Sequence, residues 1–367
     1  MFGASGAVYG FNRAAVAIRR ILIVLFHLTV SSFFDDYVQE EFGDLVDSAS
    51  STIDAVLDLL GWKTAKEKQL PFSLVFKALG VVFDFSKVEM NLITVRNTES
   101  RISSITDEVK QILDKGTVSA TESASLKGRL TFSEAQHWSR CGSMVTTALA
   151  EAAQKVGAAT VLGPELKLSL AFIVWLMNNA KPRALQPWPE EPCTFVFTDG
   201  AAEGVGGQMV SGGGVIFSPR LPCPQFFSMK VCDEIVQHWS SRGSKQVIGQ
   251  GELLPVLIAK KTWRHTLMNA RVVWLIDNEA AREGMVKSYS PSWSSREVLL
   301  QCAMLDSDLQ SLNWYGRVPS SANLADGPSR FDYEFMSEIL AVQVKPAEVT
   351  LEELRGDGLY DKLLRLC

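Results

Sequence analysis

Four prolines fall within the twelve residues Lys181–Pro192 (KPRALQPWPEEP), and this run constrains the 367-residue chain more than any other feature. Each proline fixes φ and removes an amide donor, so the run reads as a linker between two folding regions. Beyond it, the apolar run Thr194–Thr198 ends in Asp199-Gly200, followed by a Gly-rich turn and strand over Gly204–Phe217. A helix follows over Gly251–Met268, then a strand over Arg271–Asp277, a helix from Asn278, and another near Arg296–Leu312. A loop-to-helix segment around Asn323–Phe335 closes the pattern. Strands alternating with helices predict a mixed α/β sheet with helices on its faces.

Before the linker, the pattern predicts a helix over Gly10–Arg19, an apolar strand over Ile21–Val30, a turn at Asp35-Asp36 and a helix over Phe42–Leu60. The apolar run Ile21–Val30 is too short to span a bilayer, carries His27 and lacks a small-residue cleavage site, so it reads as a buried strand. No membrane association is expected. Ser73–Phe85 has β-rich composition interrupted by Gly80, as in a hairpin or bulged strand, whereas Glu99–Gly157 is helical. The tail Glu348–Leu366 reads either as one amphipathic helix or as a loose end.

At 47% hydrophobic and 21% charged, the chain is excluded from the disordered class. A net charge of −5 excludes a general basic field, so any nucleic-acid contact must be local. Six cysteines without a C-x-x-C pair, and four histidines that do not cluster with them, argue against a zinc site or a disulfide framework. Reduced thiols and an intracellular setting are the expectation.

Asp199 and Asp277 each end an apolar strand, where open α/β sheets place ligands. Glu252 opens a predicted helix in GQGELLPVL, and Asp326 lies in NLADGPSR. Any one of them alone reads as an N-cap or a solvated turn. Four converging carboxylates would repel one another and need a cation. Oxygen-only ligation suits magnesium or manganese, and a pair of such ions suits phosphodiester hydrolysis.

The ordered strings FTDGAAEGVGG, GELLPVL, WLIDNEAA and VPSSANLADGPSR resemble the ribonuclease H domain that follows the polymerase in retroelement reverse transcriptases. The resemblance implies a five-stranded sheet, two magnesium ions and cleavage of RNA paired to DNA. It makes Asp199, Glu252, Asp277 and Asp326 both catalytic residues and metal ligands: Asp199 would bridge the two ions, Glu252 and Asp277 would hold one, and Asp326 the other. The stretch from Asp199 to Glu252 is longer than in cellular ribonucleases H, and no histidine follows Asp277. Asn278 reads as a helix cap, and Asn323 as a nucleic-acid contact beside the last carboxylate. Lys260, Lys261 and Arg264, with Trp263 among them, read either as a face that follows phosphates or as a solvated helix face with one packed ring.

In the first half, FGASGAVYGFNR, FFDDY, GWKTAKEKQ and FKALGVVFDF resemble reverse-transcriptase palm segments, and SLKGRLTFSEAQHWSRCG resembles thumb and connection. The closest family is the reverse transcriptase–ribonuclease H polyprotein of DIRS-like, tyrosine-recombinase retroelements. That resemblance implies a partial palm over residues 1–98, a helical thumb or connection over 99–180, the linker over 181–192, a ribonuclease-H-like domain over 193–337 and a tail over 338–367. Such polymerases carry a third aspartate on a strand before the first of these motifs, and this sequence begins at that motif. The expectation is therefore an N-terminally truncated palm with Asp35 and Asp36 as polymerase relics, and a partner chain supplying the rest where polymerisation occurs. The function expected is metal-dependent hydrolysis of RNA in RNA–DNA hybrids without polymerase activity; the alternative is an inactive remnant or nucleic-acid-binding module.

Overall fold

In the computed structural model the described residues are 5–135, 142–155, 159–188, 191–203, 209–241, 247–355 and 359–365. Parts of three motifs named above, residues 2–4, 136–141 and 204–207, lie outside them, as do residues 189–190 of the proline-rich run, residues 204–208 of the strand expected over 204–217 and residues 356–358 and 366 of the tail. The chain divides into two compact units, Met1–Ala78 and Leu79–Cys367, so the first boundary falls twenty residues before the position expected.

The first unit begins with a single helix, Ser5–Phe26, which takes in most of the run expected to be a strand. Ala15, Ile18 and Leu22 are buried along it at a spacing of three and four, the helical period. A short apolar run cannot be assigned to helix or strand by periodicity alone, and here the longer frame from Ser5 decides. His27 turns the chain at φ 55°. An antiparallel hairpin follows, Thr29–Phe33 with Asp36–Glu40, and then the helix Val46–Leu59. Ile18, Leu22, Leu28, Val30, Ala49, Val56 and Leu57 make the core. Asp35 and Asp36 are exposed at the hairpin tip, and among the described residues no third metal-ligating side chain groups with them.

The second unit contains a helical layer and a larger sheet. The helices Glu99–Lys115, Ala120–Ala135, Ser143–Ala153 and Pro164–Asn179 bury Ile105, Val109, Leu126, Leu149 and Phe172. The proline-rich run is more than a linker: Arg183–Leu185 forms a strand antiparallel to Ile93–Val95. The prolines flank this strand and leave its amides free to pair.

The larger sheet is built from β1 (Thr194–Glu203), β2 (Met209–Phe217), β3 (Gln225–Lys230), β4 (Arg271–Ile276), β5 (Leu312–Arg317) and β6 (Val342–Gln343), in the order β5-β4-β1-β2-β3-β6. The expected five strands gain a two-residue sixth. β1, β2 and β3 are antiparallel neighbours, whereas β4 lies parallel to β1 and to β5. One face is covered by α1 (Asp233–Ser241), α2 (Ile248–Thr262), α3 (Glu279–Lys287) and α4 (Trp293–Leu309), whose apolar side chains join Val196, Ile216, Phe227, Val272 and Trp274 in the main core. On the other face, Met336 from α6 (Glu334–Glu338) and Ala325, just before the short α5 (Asp326–Ser329), pack on Val215 and Phe226.

The described residues of the tail are packed against the rest of the second unit, not a loose end. Leu354, in α7 (Leu351–Arg355), enters the main core, and Leu359 and Leu363, in α8 (Leu359–Arg365), enter the helical layer. Among the described residues, no helix is long and apolar enough to cross a membrane.

Candidate metal centre

Register places the first two carboxylates. Ile276 of β4 pairs with Thr198 of β1 in a parallel ladder, so the residues that follow them, Asp277 and Asp199, lie side by side: Asp277 just past the end of β4, and Asp199 inside β1, which runs on to Glu203 instead of ending at Asp199 as expected. The third carboxylate arrives by close approach of a helix to a strand. A Cβ at Gly200 would stand 2.5 Å from the carbonyl carbon of Gly251 and 2.7 Å from the amide nitrogen of Glu252. Only glycine at 200 lets α2 lie this close to β1. Glu252 Oε2 then accepts a 3.1 Å hydrogen bond from the Gly200 amide. One oxygen each from Asp199, Glu252 and Asp277 lies within 4.8 Å of the others.

These charges are poorly solvated. Asp199 and Glu252 are 3% and 6% exposed. Burial, then the charges of Asp277 and Asp326, push Asp199 up to about 6 against the hydrogen bond from Ser329 and the nearby Arg330. Burial, then Asp199 and Asp277, push Glu252 up to about 8 against hydrogen bonds from Gly200 and Asn278. Asp277 Oδ1 is buried without a hydrogen-bond partner. Oxygen-only donors, mutual repulsion and an unpartnered carboxylate oxygen are what a hard divalent cation compensates, so the residues present fit magnesium or manganese.

Asp326 stands apart from this cluster. It is the first residue of α5, and its carboxylate is ion-paired with Arg330 at 3.2 Å; the same guanidinium meets Glu203 at 3.1 Å. It is near enough to Asp199 to raise that carboxyl. Asn278 caps α3, its Oδ1 accepting from the Ala281 amide at 3.0 Å.

The residues expected to touch nucleic acid have other partners. Lys260 is fully buried: its ammonium donates to Asp306 at 2.5 Å and to the Tyr315 hydroxyl at 3.2 Å, and it lies 4.6 Å from the centroid of the Trp274 ring. It cannot reach a phosphate, which corrects the reading of this helix as a phosphate-following face. α2 is buried continuously from Gln250 to Lys260, so its basic end turns inward. Lys261 donates to Glu353 and to the Glu348 carbonyl, holding the tail, and Arg264 pairs with Asp308. The Trp263 ring is packed in the core. Asn323 is also buried, its amide donating to the Thr198 carbonyl at 3.1 Å and reaching Asp199 Oδ1 at 3.4 Å. It steadies the first carboxylate from inside and is not open to a nucleic acid.

Sequence reading did not single out Ser329, whose hydroxyl donates to Asp199 Oδ2 at 2.5 Å. Its position three residues after Asp326 was the available signal. Nor did it find β3 or β5, although β5 supports the strand that ends in Asp277.

No family model matches the chain, and no curated protein matches it. Solved structures do. One is the foamy viral protease-reverse transcriptase dRH in complex with double-stranded DNA, at 14% identity and TM-score 0.39, covering 84% of this chain and 49% of that one. A second is the foamy viral protease-reverse transcriptase in complex with an RNA/DNA hybrid, at 13% identity and TM-score 0.33, covering 88% and 61%. A third is ribonuclease H1 from the halophilic archaeon Halobacterium salinarum NRC-1, at 13% identity and TM-score 0.29, covering 38% and 96%. This chain thus spans about half the length of the first foamy viral structure.

Proposed function

We propose that the second unit is a divalent-metal-dependent nuclease that hydrolyses the RNA strand of an RNA–DNA hybrid. The observation that carries this reading is the convergence of Asp199, Glu252 and Asp277 from the middle of one strand, a helix and the end of the neighbouring strand within 4.8 Å, two of them buried. Magnesium or manganese ions held there would supply charge stabilisation at the attacking and leaving oxygens of the phosphodiester. Asp199, Glu252 and Asp277 would hold the first ion, with Asp326 as the further ligand. The chain's own contribution is rigidity: the β1–β4 ladder fixes both aspartates, the Gly200 amide orients Glu252, and Asn323 and Ser329 hold Asp199. The hybrid specificity and the division of the remaining chain into partial palm and helical connection, with a separate chain completing any polymerase, belong to the same proposal and rest on the sequence motifs.

The test is cleavage of a labelled RNA–DNA hybrid by the full chain in magnesium, with duplex DNA and duplex RNA as comparators. Asp199→Asn or Asp277→Asn is expected to reduce cleavage by a factor on the order of 1,000 or more. Undiminished cleavage in either variant overturns the assignment.

A further inference from the structure

The Ser329 hydroxyl is fully buried, 2.5 Å from Asp199 Oδ2 and 2.8 Å from the main-chain oxygen of Asp326. Two strands fix its place. The hydroxyls of Ser211 on β2 and Ser228 on β3 donate to the carbonyls of Ser329 and Pro328, each at 2.7 Å. A Cβ at Gly213 would stand 2.5 Å from the Ser329 amide nitrogen, so the segment sits directly on the β2 backbone. Gly213 is in turn the register partner of Asp199. The segment bearing the last carboxylate is thereby bolted to the sheet beside the first.

We propose that Ser329 is a positioning residue for Asp199, donating to Oδ2 to fix the carboxylate's rotamer beside the cation site, with the Asn323 amide on Oδ1. A hydroxyl has one proton to give, and the carboxylate, as the charged acceptor at the shorter distance, takes it in preference to the Asp326 carbonyl. The same side chain thus ties the first carboxylate to the backbone that carries the last. This role rests on the metal-centre reading above. Removing an outer hydrogen bond to a ligand carboxylate typically costs 10–100-fold in metal affinity.

The experiment is calorimetric titration of manganese into the full 367-residue chain, with unfolding midpoints taken in chelator. Ser329→Ala is expected to weaken manganese binding about tenfold. Ser228→Ala loosens the same segment without touching Asp199, and is expected to lower the midpoint while leaving manganese affinity unchanged. Ser329→Cys keeps the side-chain shape with a slightly larger, weaker donor; it is expected to behave as Ser329→Ala, and it replaces that variant if the alanine chain does not fold. Wild-type affinity in the Ser329 variants overturns the positioning role and leaves the metal centre standing. An equal loss in Ser228→Ala also overturns it, because general loosening then accounts for the effect. Absence of manganese binding by the wild-type chain overturns the metal centre itself, and the role of Ser329 with it.

Discussion

Glu252→Gln removes one charge from the carboxylate cluster while keeping shape and an oxygen that can accept from the Gly200 amide. The folded chain holds the Glu252 proton up to about pH 8 against an ordinary value of 4.5. The folded state therefore binds more protons than the unfolded state between these values. Stability is unaffected by this group below about pH 4.5 and falls as pH rises, until the loss is complete above about pH 8. At about 1.4 kcal/mol per pKa unit, the ceiling is roughly 5 kcal/mol. Asp199 and Asp277 share the same repulsion, so the substitution is expected to recover about 2–4 kcal/mol at pH 9 and almost none at pH 4. Urea unfolding in chelator reads this directly through tryptophan emission, since every tryptophan except Trp62 belongs to the second unit. Magnesium should flatten the wild-type profile and leave the glutamine profile nearly unchanged. Parallel wild-type and variant profiles from pH 4 to 9 would refute the reasoning, because Glu252 would then ionise as freely in the fold as in the unfolded chain.

Gly200→Ala is expected to abolish manganese binding and to destabilise the second unit by more than about 2 kcal/mol, because its Cβ meets the Gly251 backbone; calorimetry and urea unfolding together check this, and a wild-type result in both refutes it. Lys260→Met leaves Asp306 without its buried cation and should cost about 3 kcal/mol in unfolding free energy while hybrid affinity stays unchanged. Weaker hybrid binding at unaltered stability would return Lys260 to the nucleic-acid surface. Leu354→Ala is expected to cost about 2–5 kcal/mol on urea unfolding, since this tail residue is 2% exposed in the main core; a loss under about 0.5 kcal/mol would show the tail to be dispensable.

The sequence determined the parts of the site that local pattern controls. Apolar runs leading into Asp199 and Asp277 declared two strands, although the first continues past Asp199 to Glu203, and the helical spacing after Gly251 placed Glu252 on a helix. Asn278 was legible as a cap because capping is a contact between residues three apart. Only tertiary structure decided which of these groups meet. The convergence of three carboxylates depends on a ladder between strands about eighty residues apart and on the backbone approach at Gly200; the glycine is visible in the sequence, but which strand and which helix backbone become neighbours is not. Ile21–Phe26 became helix because its buried partners repeat from Ala15 onward, whereas composition favoured a strand. Lys260 carries the same charge in any sequence, and only the ring of Trp274 and the carboxylate of Asp306 made it an interior residue. A side chain's chemistry is written in the chain, but its solvation is set by what packs against it, and that decides whether a charge binds a partner or holds the core together.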